Sequence, residues 1–183
     1  MKDAITLLLL CLALAWPSNG FAQSGDATVV VLVRHAEKEA AGSDPALTTA
    51  GQARAELLAS MLKDAGVTAI FATATRRTRS TAAPLAAQRH LDVVDTDKDL
   101  ARVRAQVLAA GRRTLIVGHS NTLPGLIAAL GGPSGLEIAD NEFDAFFVLT
   151  IPPQGSPTLL TLRYGAPAAA FANPMGGAGA APR

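Results

Sequence analysis

Residues 28–35 read Thr-Val-Val-Val-Leu-Val-Arg-His. The first six are β-branched or apolar without interruption, so neither face of an extended segment is polar. That pattern suits a strand covered on both sides, as in a parallel sheet. Parallel strands need crossovers, and the chain outward from here supplies them. Asp44-Pro45 marks a turn, and Thr48 or Thr49 is placed to cap a helix reaching about residue 64. Ala53, Leu57 and Met61 form one stripe of that helix, with Leu58 and Leu62 beside it, and Gly66 ends it. VTAIFA at 67–72 reads as a second strand, and 75–89 as a helix opening with TRRTRSTAA. Pro84 lies well inside that helix and predicts a kink. A short strand is expected at 91–94, then a helix from Asp97 to residue 110 stopped by Gly111. TLIV at 114–117 is another buried strand, followed by Gly118-His119-Ser120-Asn121 and a short helix over 123–130. Residues 143–151 and 158–164 read as two strands joined by PPQGSP, an antiparallel pair.

Strands and helices thus alternate through most of the chain, which predicts an α/β fold with a largely parallel sheet between helical layers. In such sheets ligands bind beyond the carboxyl ends of the strands. The residues that follow each strand are therefore the ones to inspect.

The remainder of the sequence sets limits. The chain has 183 residues, 16 Lys+Arg against 15 Asp+Glu, and one cysteine. One domain fits that length. The near-neutral balance argues against a nucleic-acid partner, and a single cysteine excludes a disulfide framework or a cysteine-based zinc site. Residues 5–16 (ITLLLLCLALAW) are apolar, follow Lys2, and are shorter than the ~20 residues of a membrane span. Small residues at Gly20 and Ala22 complete the pattern of a secretory signal peptide over 1–22. Its cleavage would remove Cys11 and leave no stable membrane anchor. A periplasmic or secreted bacterial protein is expected. Residues 23–165 form the domain, and the Ala/Gly/Pro-rich stretch 166–183 reads as a disordered tail.

Three features stand at strand ends. His35 follows the first strand beside Arg34, and His119 follows the fourth. Arg76, Arg77 and Arg79 open the helix after the second. If those ends converge, two imidazoles and at least two guanidiniums share one site. Guanidinium forks and helix N-termini match phosphate oxygens, and a neutral imidazole is able to attack phosphorus. His90, near a helix C-terminus, reads as structural. Phe143, Phe146 and Phe147 read as core.

VLVRHAEK at 31–38, RTRSTA at 77–82 and VGHSNT at 117–122 together resemble the histidine phosphatase superfamily, with its phosphoglycerate-mutase-like fold. The resemblance covers roughly residues 29–164. It implies a three-layer α/β/α sandwich whose six-stranded sheet has one antiparallel strand. It also implies that His35 is a nucleophile that becomes phosphohistidine, while Arg34, Arg77 and His119 hold the transferring phosphoryl group. Arg77 is preferred to Arg76 and Arg79 because the family's arginine stands four residues before a Thr-Ala pair, here Thr81-Ala82. His119 is expected to serve as a cation. Glu37 and Asn121 are candidate substrate contacts at the mouth of the pocket. No metal or other cofactor is implied, and the expected activity is that of a metal-independent phosphomonoester hydrolase working on a small phosphorylated substrate.

The chain departs from the family pattern in its general acid. The stretch LDVVDTDKDLARV after the third strand is too short for the acidic insertion of many members. Glu37, Asp44, Asp95, Asp97, Asp140 and Glu142 are candidates. A non-catalytic phosphate-binding module is the alternative that a missing acid favours. A Ser120 nucleophile in a G-x-S-x-G-like turn is excluded, because no histidine follows His119 to complete a hydrolase triad.

Overall fold

The computed structural model describes residues 26–96, 98–111 and 113–167. The expected signal peptide, Asp97, Arg112 and all but the first two residues of the expected tail lie outside the described residues. The elements run β1 (Thr28–Arg34), α1 (Thr49–Leu62), β2 (Ala69–Ala72), α2 (Arg76–Arg89), β3 (Val93–Asp95), α3 (Leu100–Ala109), β4 (Arg113–Gly118), α4 (Leu123–Ala129), β5 (Ala145–Ile151) and β6 (Thr158–Arg163).

The strands form one sheet in the order β3-β2-β4-β1-β5-β6. β1 pairs parallel with β4, and β2 parallel with both β3 and β4. β5 runs antiparallel to β1 and to β6. The expected final hairpin is present, and it makes β5 the one reversed strand of the described sheet.

Strand alternation divides the core. Val31 and Val33 of β1 pack with Leu58, Leu62 and Leu85 from α1 and α2. Val30 and Leu32 pack with Val103, Val107, Leu123 and Ile127 from α3 and α4. The residues of TVVVLV therefore serve two cores, one on each face, which explains the absence of a polar alternate. The result is a three-layer α/β/α sandwich.

Several local expectations change. The buried face of α1 is Arg54, Ala55, Leu58, Ala59 and Leu62, while Leu57 and Met61 are exposed. The small Ala55 and Ala59 let α1 settle close to its neighbours, and Arg54 turns inward toward Glu37. Thr48 is the N-cap of α1, its hydroxyl accepting from the Gly51 N–H. Helix α2 runs through Pro84 without interruption. It ends on His90, which takes the left-handed conformation at φ 54° and so has the structural place expected of it. Helix α3 starts later than expected, because Asp99, with Oδ1 2.9 Å from the Ala101 N–H, is its cap. Phe146 and Phe147 fill opposite cores. Phe143, expected in the core, is only half-buried and lines a cleft.

Candidate active site

The register of β1 and β4 sets Arg34 opposite Gly118. The next residues, His35 and His119, therefore leave the sheet side by side, and the His35 N–H donates to the Gly118 carbonyl at 2.9 Å. Their ring centroids lie 5.2 Å apart. β2 ends next to β4, so the first turn of α2 delivers Arg77 to the same place, with Nη2 3.4 Å from His119 Nδ1. Thr81, one turn further along α2, accepts the Ala36 N–H at 3.0 Å and donates to the Arg77 carbonyl at 2.8 Å. This hydroxyl ties the loop after β1 to the helix that carries the arginine. The four residues open onto a cleft of about 890 Å³, lined also by Glu37, Lys38, Ser120, Asn121, Asp140 and Phe143.

His35 Nδ1 lies 2.8 Å from the Ala36 carbonyl. A carbonyl only accepts, so Nδ1 carries the proton and Nε2 keeps its lone pair. Burial lowers the His35 pKa to about 4, against the bond to Ala36, which raises it; Arg34, His119 and Arg77 lower it further. The ring is thus neutral near neutral pH, with the Nε2 lone pair available.

His119 departs from its expected charge. Burial, then Arg77, then Arg34, bring its pKa down to about 4 as well. Its Nε2 is 2.7 Å from Thr73 Oγ1, which in turn donates to Thr78 Oγ1 at 3.1 Å. With Arg77 donating to Nδ1, the consistent arrangement is a neutral ring whose Nε2–H donates to Thr73. The two guanidiniums that were expected to share the site with a cation instead suppress it while the site is empty. An anion that offsets them is what would let His119 take up a proton.

Arg34 is 5% exposed. Its Nη1 donates to the Ala139 carbonyl at 2.8 Å, and its guanidinium carbon lies 4.4 Å from the centre of the Phe143 ring. Burial lowers its pKa despite the pull of Asp140 and Glu142, and Arg77 lowers it further. The Nε atoms of both Arg34 and Arg77 are buried without a hydrogen-bond partner among the described residues. Arg76 directs its backbone N–H to the Asp44 carboxylate, both oxygens at 3.0 Å, and Arg79 pairs with Asp95. Only Arg77 of the three lines the cleft.

Glu37 reaches the rim, but its carboxylate is committed to Arg54: Nε is 3.0 Å from both oxygens and Nη2 is 2.7 Å from Oε1. Partial burial opposes ionisation there, yet Arg54 holds the Glu37 carboxyl below its usual range. It is a strut under the loop after β1 more than a free substrate contact. Asn121 stands exposed at the mouth. Sequence reasoning assigned no role to Thr73, Thr81 or Arg54. The signal for Arg54 was available, since it sits one turn before Leu58 on the apolar side of α1. No group of three or more His, Cys, Asp or Glu gathers as a metal site among the described residues.

Comparison with known proteins follows the same lines. A family model described as histidine phosphatase superfamily, branch 1, matches residues 30–105, which hold Arg34, His35 and Arg77. No curated protein sequence matches. A solved structure from Agrobacterium tumefaciens, assigned as the phosphohistidine phosphatase SixA, is 26% identical; it covers 75% of this chain and 99% of its own, with a TM-score of 0.51. The protein histidine phosphatase SixA in complex with tungstate is 18% identical over 74% of this chain and 97% of its own, TM-score 0.61. The mycobacterial glucosyl-3-phosphoglycerate phosphatase with inorganic phosphate is 18% identical over 78% and 99%, TM-score 0.57. The family model covers the ends of β1 and β2 and stops before β4. Residues 30–105 thus resemble the histidine phosphatase superfamily, and the chain as a whole has a phosphoglycerate-mutase-like fold.

Proposed function

We propose that the protein is a phosphohydrolase that works through a phosphohistidine on His35 and acts on a small phosphorylated substrate in the cell envelope. The observation that carries this reading is the His35 ring, held by the Ala36 carbonyl with its Nε2 lone pair free and with Arg34, Arg77 and His119 around it. In the first half-reaction the Nε2 lone pair forms the N–P bond as the bond from phosphorus to the leaving oxygen breaks. Arg34 and Arg77 hold the equatorial oxygens of the phosphoryl group, where charge is spread in the transition state. Their closely spaced positive charges are answered by a dianion. His119, neutral when the site is empty, adds a positive charge once that dianion is bound. Water then attacks the phosphohistidine, and the N–P electron pair returns to Nε2. The cell-envelope setting rests on the apolar leader of residues 5–16.

The test is release of p-nitrophenol from p-nitrophenyl phosphate by the chain lacking residues 1–22. Turnover is expected, with His35→Ala reducing it at least about 10³-fold and with acid-labile, base-stable label retained on the wild-type protein after quenching. Turnover undiminished in His35→Ala overturns the reading. Phosphate binding without any turnover above that control favours the non-catalytic module.

A further inference from the structure

We propose that Asp140 is the catalytic acid that protonates the leaving oxygen, and that Ser120 positions it. The inference rests on the phosphatase reading above and adds the group that the sequence does not identify.

Breaking a phosphomonoester bond leaves an alkoxide or phenoxide that needs a proton. Among the described carboxylates, only Glu37 and Asp140 line the cleft that holds His35. Both Glu37 oxygens face Arg54. Outside the cleft, Asp44 accepts the Arg76 amide with both oxygens and lies 3.6 Å from Arg77 Nη1. Asp95 is paired with Arg79. Glu142 accepts the Ala139 N–H at 3.0 Å and pairs with Arg163, and Asp144 is buried against the same arginine.

Asp140 differs from all of these. Its side chain is 96% exposed, at the mouth of the cleft. It is nonetheless placed: Ser120 Oγ, next to His119, donates to Oδ1 at 2.9 Å. Arg34 Nη2 stands 3.9 Å from the same oxygen, and Arg34 Nη1 holds the preceding carbonyl, Ala139 O. The acid is thus anchored on one phosphoryl-binding arginine and on the residue after His119. Oδ1 carries these contacts, which leaves Oδ2 to bear the proton. Arg34, which holds the phosphoryl group in the reading above, thereby keeps the acid beside the leaving oxygen. As the P–O bond breaks, the Oδ2 proton passes to the leaving oxygen. In the second half-reaction the resulting carboxylate takes a proton from the attacking water, whose oxygen bonds to phosphorus as the N–P bond breaks.

The experiment compares phenyl phosphate, with a strongly basic leaving group, and 2,4-dinitrophenyl phosphate, whose leaving group needs no proton. The quantity is kcat/KM, which reports the half-reaction in which the leaving group departs. Asp140→Asn is expected to lose about 100-fold on phenyl phosphate and under about 5-fold on the dinitrophenyl ester. Ser120→Ala should show the same selectivity with a smaller loss, and vanadate inhibition within several-fold of wild type should show the cleft intact. Equal losses on both esters, or no loss on phenyl phosphate, overturn the acid assignment while leaving the nucleophile standing. A wild-type protein that turns over neither ester overturns the phosphatase reading and this assignment with it.

Discussion

Arg34 and Arg54 are 5% and 6% exposed, yet they occupy opposite electrostatic situations. Arg54 is answered on every side. Glu37 takes Nε and Nη2, the Tyr164 carbonyl takes Nη1 at 2.6 Å, and the Ala166 carbonyl takes Nη2 at 2.7 Å. Burial alone would lower its pKa, but Glu37 turns the balance upward. Arg34 has one carbonyl, a carboxylate at 3.9 Å and an orphaned Nε, and its pKa is lowered. The fold completes one buried guanidinium and leaves the other incomplete. A buried charge without a full set of partners is costly, and a site that binds an anion is a place where that cost is met by the ligand.

The contrast is open to direct attack. Arg34→Met is expected to reduce kcat/KM by about 10²–10³-fold, the scale of losing a donor to developing charge, while the urea midpoint stays within error of wild type or rises. A variant that loses stability and keeps activity would reverse the roles of the two arginines. Arg54→Met is expected to cost about 3 kcal/mol in urea unfolding, because it strands the Glu37 carboxylate. Glu37→Leu combined with Arg54→Met should regain more than half of that. If the double variant is as weak as the single one, packing and not the ion pair holds the joint.

A smaller effect is expected at the second histidine. Thr73→Val removes the partner of His119 Nε2 and should lower kcat/KM about tenfold, near 1.4 kcal/mol, with Thr73→Ser retaining most of the activity. Equal rates for Val and Ser would mean that the hydroxyl does not set the tautomer. A separate effect is in pH-dependent stability. His35 and His119 titrate near 4 in the folded protein, against about 6.5 in an unfolded chain. The unfolded state therefore binds more protons in that window. The stability these neutral rings contribute is present above pH about 6.5 and is lost as pH falls toward 4. Urea midpoints at about pH 7 and about pH 5 should differ more for wild type than for His119→Gln. An equal pH slope in the variant would place the effect elsewhere.

How much of this was visible in residue order follows from distance along the chain. Arg34-His35 and Gly118-His119 were legible because each directly follows a continuous apolar run, and the rule that ligands gather at strand ends does the remaining work. The antiparallel pairing of β5 with β6 was legible from the PPQGSP turn, though not which of the two is reversed in the sheet. Partnerships between side chains were not. Arg54 with the Tyr164 carbonyl, Arg34 with the Ala139 carbonyl and Thr73 with His119 join segments that the fold brings together from far apart. Periodicity reports which face of an element is buried, not which partner waits there. On α1 even the face was misread. The apolar count favoured Leu57 and Met61, but the fold buries the side where two alanines allow close approach and where Arg54 meets Glu37. Nor can composition say that burial and two nearby guanidiniums hold His119 neutral while the site is empty.

The direction of β1 has a geometric consequence for how the domain is presented. The strand enters at Thr28 and delivers His35 at its far end, and seven residues at ~3.3 Å each separate the two by roughly 20 Å. The chain therefore enters the domain at Thr28 on the side opposite His35. A tether fixed directly at Thr28 would leave the cleft beside His35 facing outward.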